Sequence, residues 1–340
     1  MTIEHPLLTP LRELHEVIVE GVLAASTNQS VDELARVADD GEGDTIYAVD
    51  RVSEELLVRE LSRCAEDVGG IVLIAEGIAG GELTLPEAWD SSRCRYRVIV
   101  DPIDGTRGYM YQKRPAWVLT GVAPNHGPDT HLRDIELSVQ SELPLVKQRF
   151  RDQLVAVRGQ GVNAWRIDVV DAARAALVLR PSRASTLEHA FATFCRFFPG
   201  VRDEIAAIDD ELMFELMGPP KAKKALCFED QYTSTGGQFY ELMAGHDRFV
   251  ADLRPLLAPV LERRGLPAPL CCHPYDVSTA LIAEELGVCL RSPWGEAFDA
   301  PLDVDSDVSW VGYANSELLR RIEPVLMRVL ERRGLLRGAP

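Results

Sequence analysis

The chain has 340 residues, 46% of them hydrophobic and 26% charged, enough to bury a sizeable core as one large domain or two closely packed ones. A formal charge of −17 disfavours anionic partners such as nucleic acids and acidic membranes. It would repel phosphorylated metabolites as well, unless bound cations reverse the local sign. Seven cysteines with no CxxC pair do not read as a disulfide framework, and no apolar run is long enough to span a membrane. The segment MTIEHPLLTPLRELHEV lacks the basic start and apolar block of a secretion signal, so a cytoplasmic location is expected.

Leu11, Leu14, Val17, Ile18 and Leu23 recur near helical spacing and predict an amphipathic helix over about 8 to 25. A second helix is expected from Arg51 to Cys64, with Leu56, Leu57 and Leu61 facing inward. GGIVLIAE (69 to 76) and RYRVIVD (95 to 101) read as buried strands that end in acids. WVLTGVAP (117 to 124), IELSVQSEL (135 to 143) and QLVAVRGQGVNAW (153 to 165) read as further strands, with a hairpin at Arg158 to Gly161. Residues 1–180 are thus expected to form an α+β half with a large, mostly antiparallel sheet.

Residues 181–340 are expected to form an α/β half. Their first part, 183 to 231, runs from aromatic HAFATFCRFFPG through EIAAIDDELMFELM to basic GPPKAKK, and reads as an inserted helical arm, lid or oligomer contact. Helices follow at QFYELMAG and at VSTALIAEEL, the latter closed by Gly287. The chain then shows a strand at WVGYA (310 to 314) and a last helix, ELLRRIEPVLMRVLERR.

Four segments place an acid where a buried element meets a turn or a helix start: Asp50 in TIYAVD, Glu76 in IVLIAE, Asp101 and Asp104 in VIVDPIDGT, and Asp276 in HPYD. Helix capping would account for Asp50 or Asp276 taken singly, and a solvated strand end for Glu76. Asp101 and Asp104 need more. Pro102 stiffens the turn, Gly105 permits close backbone approach, and Thr106 sets a hydroxyl beside backbone N–H groups that suit an anion. Carboxylates beside a phosphate cradle make sense with hard cations between them, and oxygen-only ligands point to Mg²⁺. A DxDGT phosphatase with a covalent aspartyl nucleophile has one residue between its acids. DPIDGT has two, which strand alternation should send to opposite faces.

GDTIYAVD at 43 to 50, LIAE at 73 to 76, DPIDGT at 101 to 106 and YDVSTALIAEELG at 275 to 287 resemble, in that order, the inositol monophosphatase family of Mg²⁺-dependent, lithium-sensitive phosphatases. The resemblance implies a layered αβαβα sandwich of the sugar-phosphatase type with its active site between the halves, and a homodimer. It implies two or three Mg²⁺ ions: a first on Glu76, Asp101 and the Ile103 carbonyl, a second on Asp101, Asp104 and Asp276. Asp50 and Thr106, with Glu76, would activate the attacking water, and the Gly105 and Thr106 amides would bind phosphate. Asp252 would correspond to an acid that holds a substrate hydroxyl. Arg107 and Lys221, Lys223 and Lys224 are the cations that a second anionic group could meet. Gly77 stands where the family usually carries a second glutamate, and Arg107-Gly108-Tyr109 where it often reads Thr-Asn-Phe.

The expected activity is phosphate release from a small polyol or sugar phosphate by metal-activated water. Alternatives are a fructose-1,6-bisphosphatase, a 3′-phosphonucleotide phosphatase, or a catalytically weakened protein that only binds a phosphorylated ligand. The expected partner is a small-molecule phosphate ester, with neither nucleic acid nor membrane.

Overall fold

The computed structural model describes residues 3–27, 37–39 and 46–336, with side-chain placement for 3–27 and 56–336. Helix α1 (Leu8–Thr27) buries Leu11, Leu14, His15, Ile18, Val19 and Val22, a stripe at spacings of three and four residues that fits one helical face. Each such aliphatic side chain contributes roughly 1.5–3 kcal/mol when taken out of water. A short hairpin, β1 (Val37–Asp39) and β2 (Ile46–Tyr47), leads into α2 (Ala48–Cys64), which packs against α1.

The first large sheet comprises β3 (Ile71–Ala75), β4 (Glu82–Leu85), β5 (Tyr96–Asp104), β6 (Ala116–Pro124), β7 (Leu137–Leu143), β8 (Phe150–Val157), β9 (Gly161–Asp168) and β10 (Arg174–Ala176). Helix α3 (Thr106–Met110) interrupts it directly after β5. Its strand order is β10-β9-β8-β7-β6-β5-β3-β4, and every pair is antiparallel except β3 with β5. All residues of β3, β5 and β7 are buried, as expected for strands covered on both faces.

The second sheet runs β12-β11-β13-β15-β14. It is built from β11 (Ala190–Phe194), β12 (Cys227–Phe228), β13 (Asp247–Asp252), β14 (Cys289–Arg291) and β15 (Trp310–Tyr313). Helices α4 (Arg202–Met217), α5 (Thr235–Ala244), α6 (Ala258–Arg263), α7 (Ala280–Glu285) and α8 (Ser316–Arg332) complete the fold. Helices α1 and α2 cover the outer face of the first sheet. Helices α5 and α7 lie between the sheets, touching strands of both, and α4 with α8 cover the far face of the second. The result is the layered α-β-α-β-α stack that was expected.

Two expectations change. The segment 183 to 231 is not an inserted arm: HAFATF supplies β11, a strand inside the second sheet, and α4 packs on α8 through ion pairs such as Arg332 and Arg333 with Glu211. Its apolar positions, Ile205, Ile208 and Leu212 among them, face the main core, which is why an aromatic and aliphatic run followed by an acidic face looked separable in the sequence. Helix α2 begins at Ala48, so Asp50 lies in its first turn rather than before it. Among the described residues no helix is long and apolar enough to cross a membrane, and all seven cysteines are free thiols.

Candidate active site

Strand β5 carries the central acids. Opposite it on β6, Asp101 pairs with Leu119 and Asp104 with Trp117, so two residues separate the acids where one separates their partners. This β-bulge cancels the alternation that would send residues three apart to opposite faces. The sequence expectation that the two side chains diverge is therefore corrected. Asp101, Asp104 and Asp276 each offer a carboxylate oxygen, and the three oxygens lie within 4.8 Å of one another.

Hydrogen bonds orient each acid. Asp101 Oδ1 accepts from the Ile103 amide at 2.9 Å, closing a tight turn around Pro102. Asp104 sits at the N-terminus of α5: Oδ2 accepts from the Ser234 hydroxyl at 2.7 Å and the Gly236 amide at 2.6 Å, and Oδ1 from the Thr235 amide at 3.1 Å. A carboxylate there satisfies helix amides that would otherwise lack partners. Asp276 Oδ2 accepts from the His273 amide at 2.6 Å. Asp276 is not a helix cap, because α7 starts four residues later and its cap position is Thr279.

Electrostatics bear out the unease that these acids create. Burial, and then the charges of Asp104, Asp276 and Glu76, hold the Asp101 carboxyl well above the usual range. Asp276 is raised likewise by burial and by Asp104. Asp104 is pushed up to about 6 by burial, with its bonds from Ser234, Gly236 and Thr235 opposing the rise. Acids driven toward protonation by burial and, at Asp101 and Asp276, by neighbouring carboxylates, with only oxygen donors, are the chemistry that a hard divalent cation relieves. The donor set therefore fits Mg²⁺.

The acids line a cavity of about 120 Å³ together with Glu76, Ile103, Gly105, Thr106 and Arg107. Glu76 stands just past the end of β3. The Thr106 hydroxyl donates to the Ile103 carbonyl at 2.8 Å, and Gly105, with φ of 96°, turns the chain from β5 into α3. Asp50 belongs to the expected set, but its side chain lies outside the described residues. Gly77 has φ of 84°, a backbone conformation in which a glutamate would be strained.

Asp252 departs from its expected role. It is 1% exposed, and both its carboxylate oxygens take hydrogen bonds from Arg254, so Arg254 and not the acid lines the cavity. Lys221 and Lys224 line a separate groove with Met213 and Phe228. Several cavity residues escaped the sequence reading: Ser234, Thr235, His273, Arg254, Phe197 and Phe198. Ser-Thr-Gly-Gly before an apolar helical run was a readable N-cap signal for the first two. Nothing in the spacing of the aromatics or of Arg254 marked them.

Residues 7–130 match the model of the inositol monophosphatase family. No curated protein matches the chain. Among solved structures, the extragenic suppressor protein SuhB from Bartonella henselae superposes with a TM-score of 0.62 at 16% identity, covering 95% of this chain and 98% of that one. An inositol monophosphatase from Thermotoga maritima gives 0.57 at 15%, covering 94% and 96%. A protein described as an inositol monophosphatase–fructose 1,6-bisphosphatase gives 0.59 at 13%, covering 93% and 99%. The chain thus carries the sequence signature of the inositol monophosphatase family over residues 7–130 and the fold of that family's solved structures over nearly its whole length.

Proposed function

We propose that this protein is a Mg²⁺-dependent phosphomonoesterase acting on a small polyol or sugar phosphate. The family match and the fold support a phosphatase of this superfamily. The observation that carries the metal-dependent reading is the trio of Asp101, Asp104 and Asp276, buried together in one cavity, whose burial and mutual repulsion divalent cations would relieve.

Glu76, Asp101, the Ile103 carbonyl, Asp104 and Asp276 would hold Mg²⁺, which supplies neutralisation of phosphate charge and a lowered pKa for water. The protein's own groups do the rest. The Gly105 and Thr106 amides orient the phosphate for in-line attack. Thr106 Oγ1, whose hydroxyl donates to the Ile103 carbonyl, would accept from the attacking water, and Asp50 would take the water's proton. As the new P–O bond forms, the ester P–O bond breaks and the alcohol oxygen leaves with a proton from solvent. The N-terminus of α5 fixes Asp104 so that its oxygens keep one position through the reaction. Water is the nucleophile, so no phosphoenzyme forms.

The test is phosphate release from inositol, glycerol, fructose-1,6-bis- and 3′,5′-adenosine phosphates, with Mg²⁺ and then with EDTA. Release from at least one ester that stops on chelation is expected. No release from any of them, with Mg²⁺ still bound, would overturn the enzymatic reading in favour of a phospho-ligand binding protein.

A further inference from the structure

Arg254 follows β13 by two residues and is 7% exposed, yet it lines the same cavity as the acid trio. It is held from three sides. Nε donates to Asp252 Oδ1 and Oδ2 at 2.9 and 3.0 Å, Nη2 donates to Oδ2 at 2.5 Å, and Nη1 donates to the Leu270 carbonyl at 2.8 Å. Its guanidinium carbon lies 5.2 Å from the Phe197 ring centre and 5.6 Å from that of Phe198. The Arg107 guanidinium lies 5.7 Å from the same Phe198 ring.

A guanidinium has five N–H donors. These bonds use one on each nitrogen, which leaves one on Nη1 and one on Nη2 without a protein partner among the described residues. A cation so buried and so firmly oriented is a built donor site, because its rotamer entropy is already spent on Asp252 and the two rings. Arg254 and Asp276 line one cavity.

The consequence concerns the substrate's non-reacting end. A carboxylate such as Asp252, had it faced the cavity, would have accepted a hydrogen bond from a substrate hydroxyl. The wall instead offers paired N–H donors, which suit a group that can only accept. We propose that Arg254, with Arg107 and the Phe197–Phe198 rings, is a specificity determinant that binds a second anionic group, carboxylate or phosphate, on the alcohol portion of the phosphate ester. The proposal rests on the phosphatase reading and narrows its substrate class.

The experiment compares matched esters on the intact protein: 3-phosphoglycerate against glycerol 3-phosphate for a carboxylate, and fructose 1,6-bisphosphate against fructose 1-phosphate for a second phosphate. Charge-assisted hydrogen bonds of this kind correspond to about tenfold or more in kcat/KM, so the wild type should favour the acidic member of at least one pair by that factor. Which pair shows it tells carboxylate from phosphate. Arg254→Gln should collapse the preference, mainly through KM. Because that change strands Asp252 in the core, the double variant Arg254→Gln with Asp252→Asn is measured beside it. Thermal stabilisation by the same four esters supplies a readout independent of turnover, so failure of the phosphatase reading can be told from failure of this one. A wild type that neither hydrolyses nor binds the acidic members preferentially, or a preference that survives in the folded double variant, would overturn the proposal.

Discussion

Asp101 and Asp104 stand on one face of one strand although they lie three positions apart, because the bulge opposite Leu119 and Trp117 absorbs a residue. This local irregularity turns a strand end into a site. Without it Asp104 would point away from Asp101 and Asp276, toward the side of the sheet covered by α1 and α2. The bulge is itself fixed by Pro102, by the Ile103 amide bonded to Asp101, and by the grip of α5 on Asp104.

Replacing Asp101 with Asn tests the shared-cation reading. Asn keeps a carbonyl oxygen for the Ile103 amide at nearly the same position, so the turn should persist. It removes a charge that burial and three neighbouring acids oppose. Phosphate release should fall by about a hundredfold or more, since metal-based charge stabilisation amounts to several kcal/mol. The melting temperature in EDTA should stay level or rise. Turnover near that of the wild type would remove Asp101 from the metal site.

Mg²⁺ should stabilise the folded protein through mass action. At a concentration about a hundred times its dissociation constant the gain is ~2.7 kcal/mol, or roughly 4 °C in a chain of this size. Differential scanning calorimetry with Mg²⁺ and with EDTA reads this directly, and Asp101→Asn should lose most of the difference. A melting temperature indifferent to Mg²⁺ and restored by no other divalent ion would contradict a cation site at the trio.

Much of this was legible in the sequence, and the exceptions share a cause. The acids at strand ends, the amphipathic stripe of α1 and the buried β-branched runs are local signals, and they appear in the structure where the residues placed them. What stayed hidden depends on contacts between distant segments. The direction of Asp104 is set by an extra residue in strand pairing and by amides of α5, 130 positions away. Asp252 looked like a ligand because its neighbour in space, Arg254, is also its neighbour in sequence, and spacing alone cannot tell whether such a pair turns toward each other or apart. The aromatic and acidic segment at 183 to 231 looked like an arm because its two strands, β11 and β12, are short, and the partner that ties them into the sheet, β13, lies later in the chain.

His15 offers a test of stability against pH that is remote from the acids. It is fully buried in α1 between Thr120 Oγ1 at 2.8 Å and Ser141 Oγ at 2.9 Å. Burial, and next the charge of Arg151, lower its pKa to about 3. In the unfolded chain it titrates at its ordinary value of about 6.5. Between those values the unfolded state binds a proton that the folded state refuses, so stability falls as pH drops through that window. From pH 7 to pH 5 the loss from this group is about 2 kcal/mol. Gln in its place can bond both hydroxyls without titrating. Urea unfolding at the two pH values should show a loss for the wild type that exceeds the variant's by that amount, and equal losses would mean that His15 does not control it.

Gly236 is the second residue of α5, and its bareness is what lets the helix reach Asp104. A Cβ built there would stand 2.5 Å from Leu119 Cδ2 and 2.9 Å from Asp104 Oδ2. Ala at an open helical position would stabilise by up to about 1 kcal/mol relative to Gly. Here overpacking against a fully buried leucine opposes that gain with about 1–3 kcal/mol, and the net should be a modest loss of stability. The larger effect should fall on the site, because the methyl pushes on the oxygen that accepts from the Gly236 amide. Gly236→Ala should weaken Mg²⁺ binding measured by calorimetric titration. Adding Leu119→Val should recover part of the stability but little of the Mg²⁺ affinity, since the contact with Asp104 remains. Recovery of both together would show that the helix acts on the site only through packing at Leu119, and that its amides do not set the direction of Asp104.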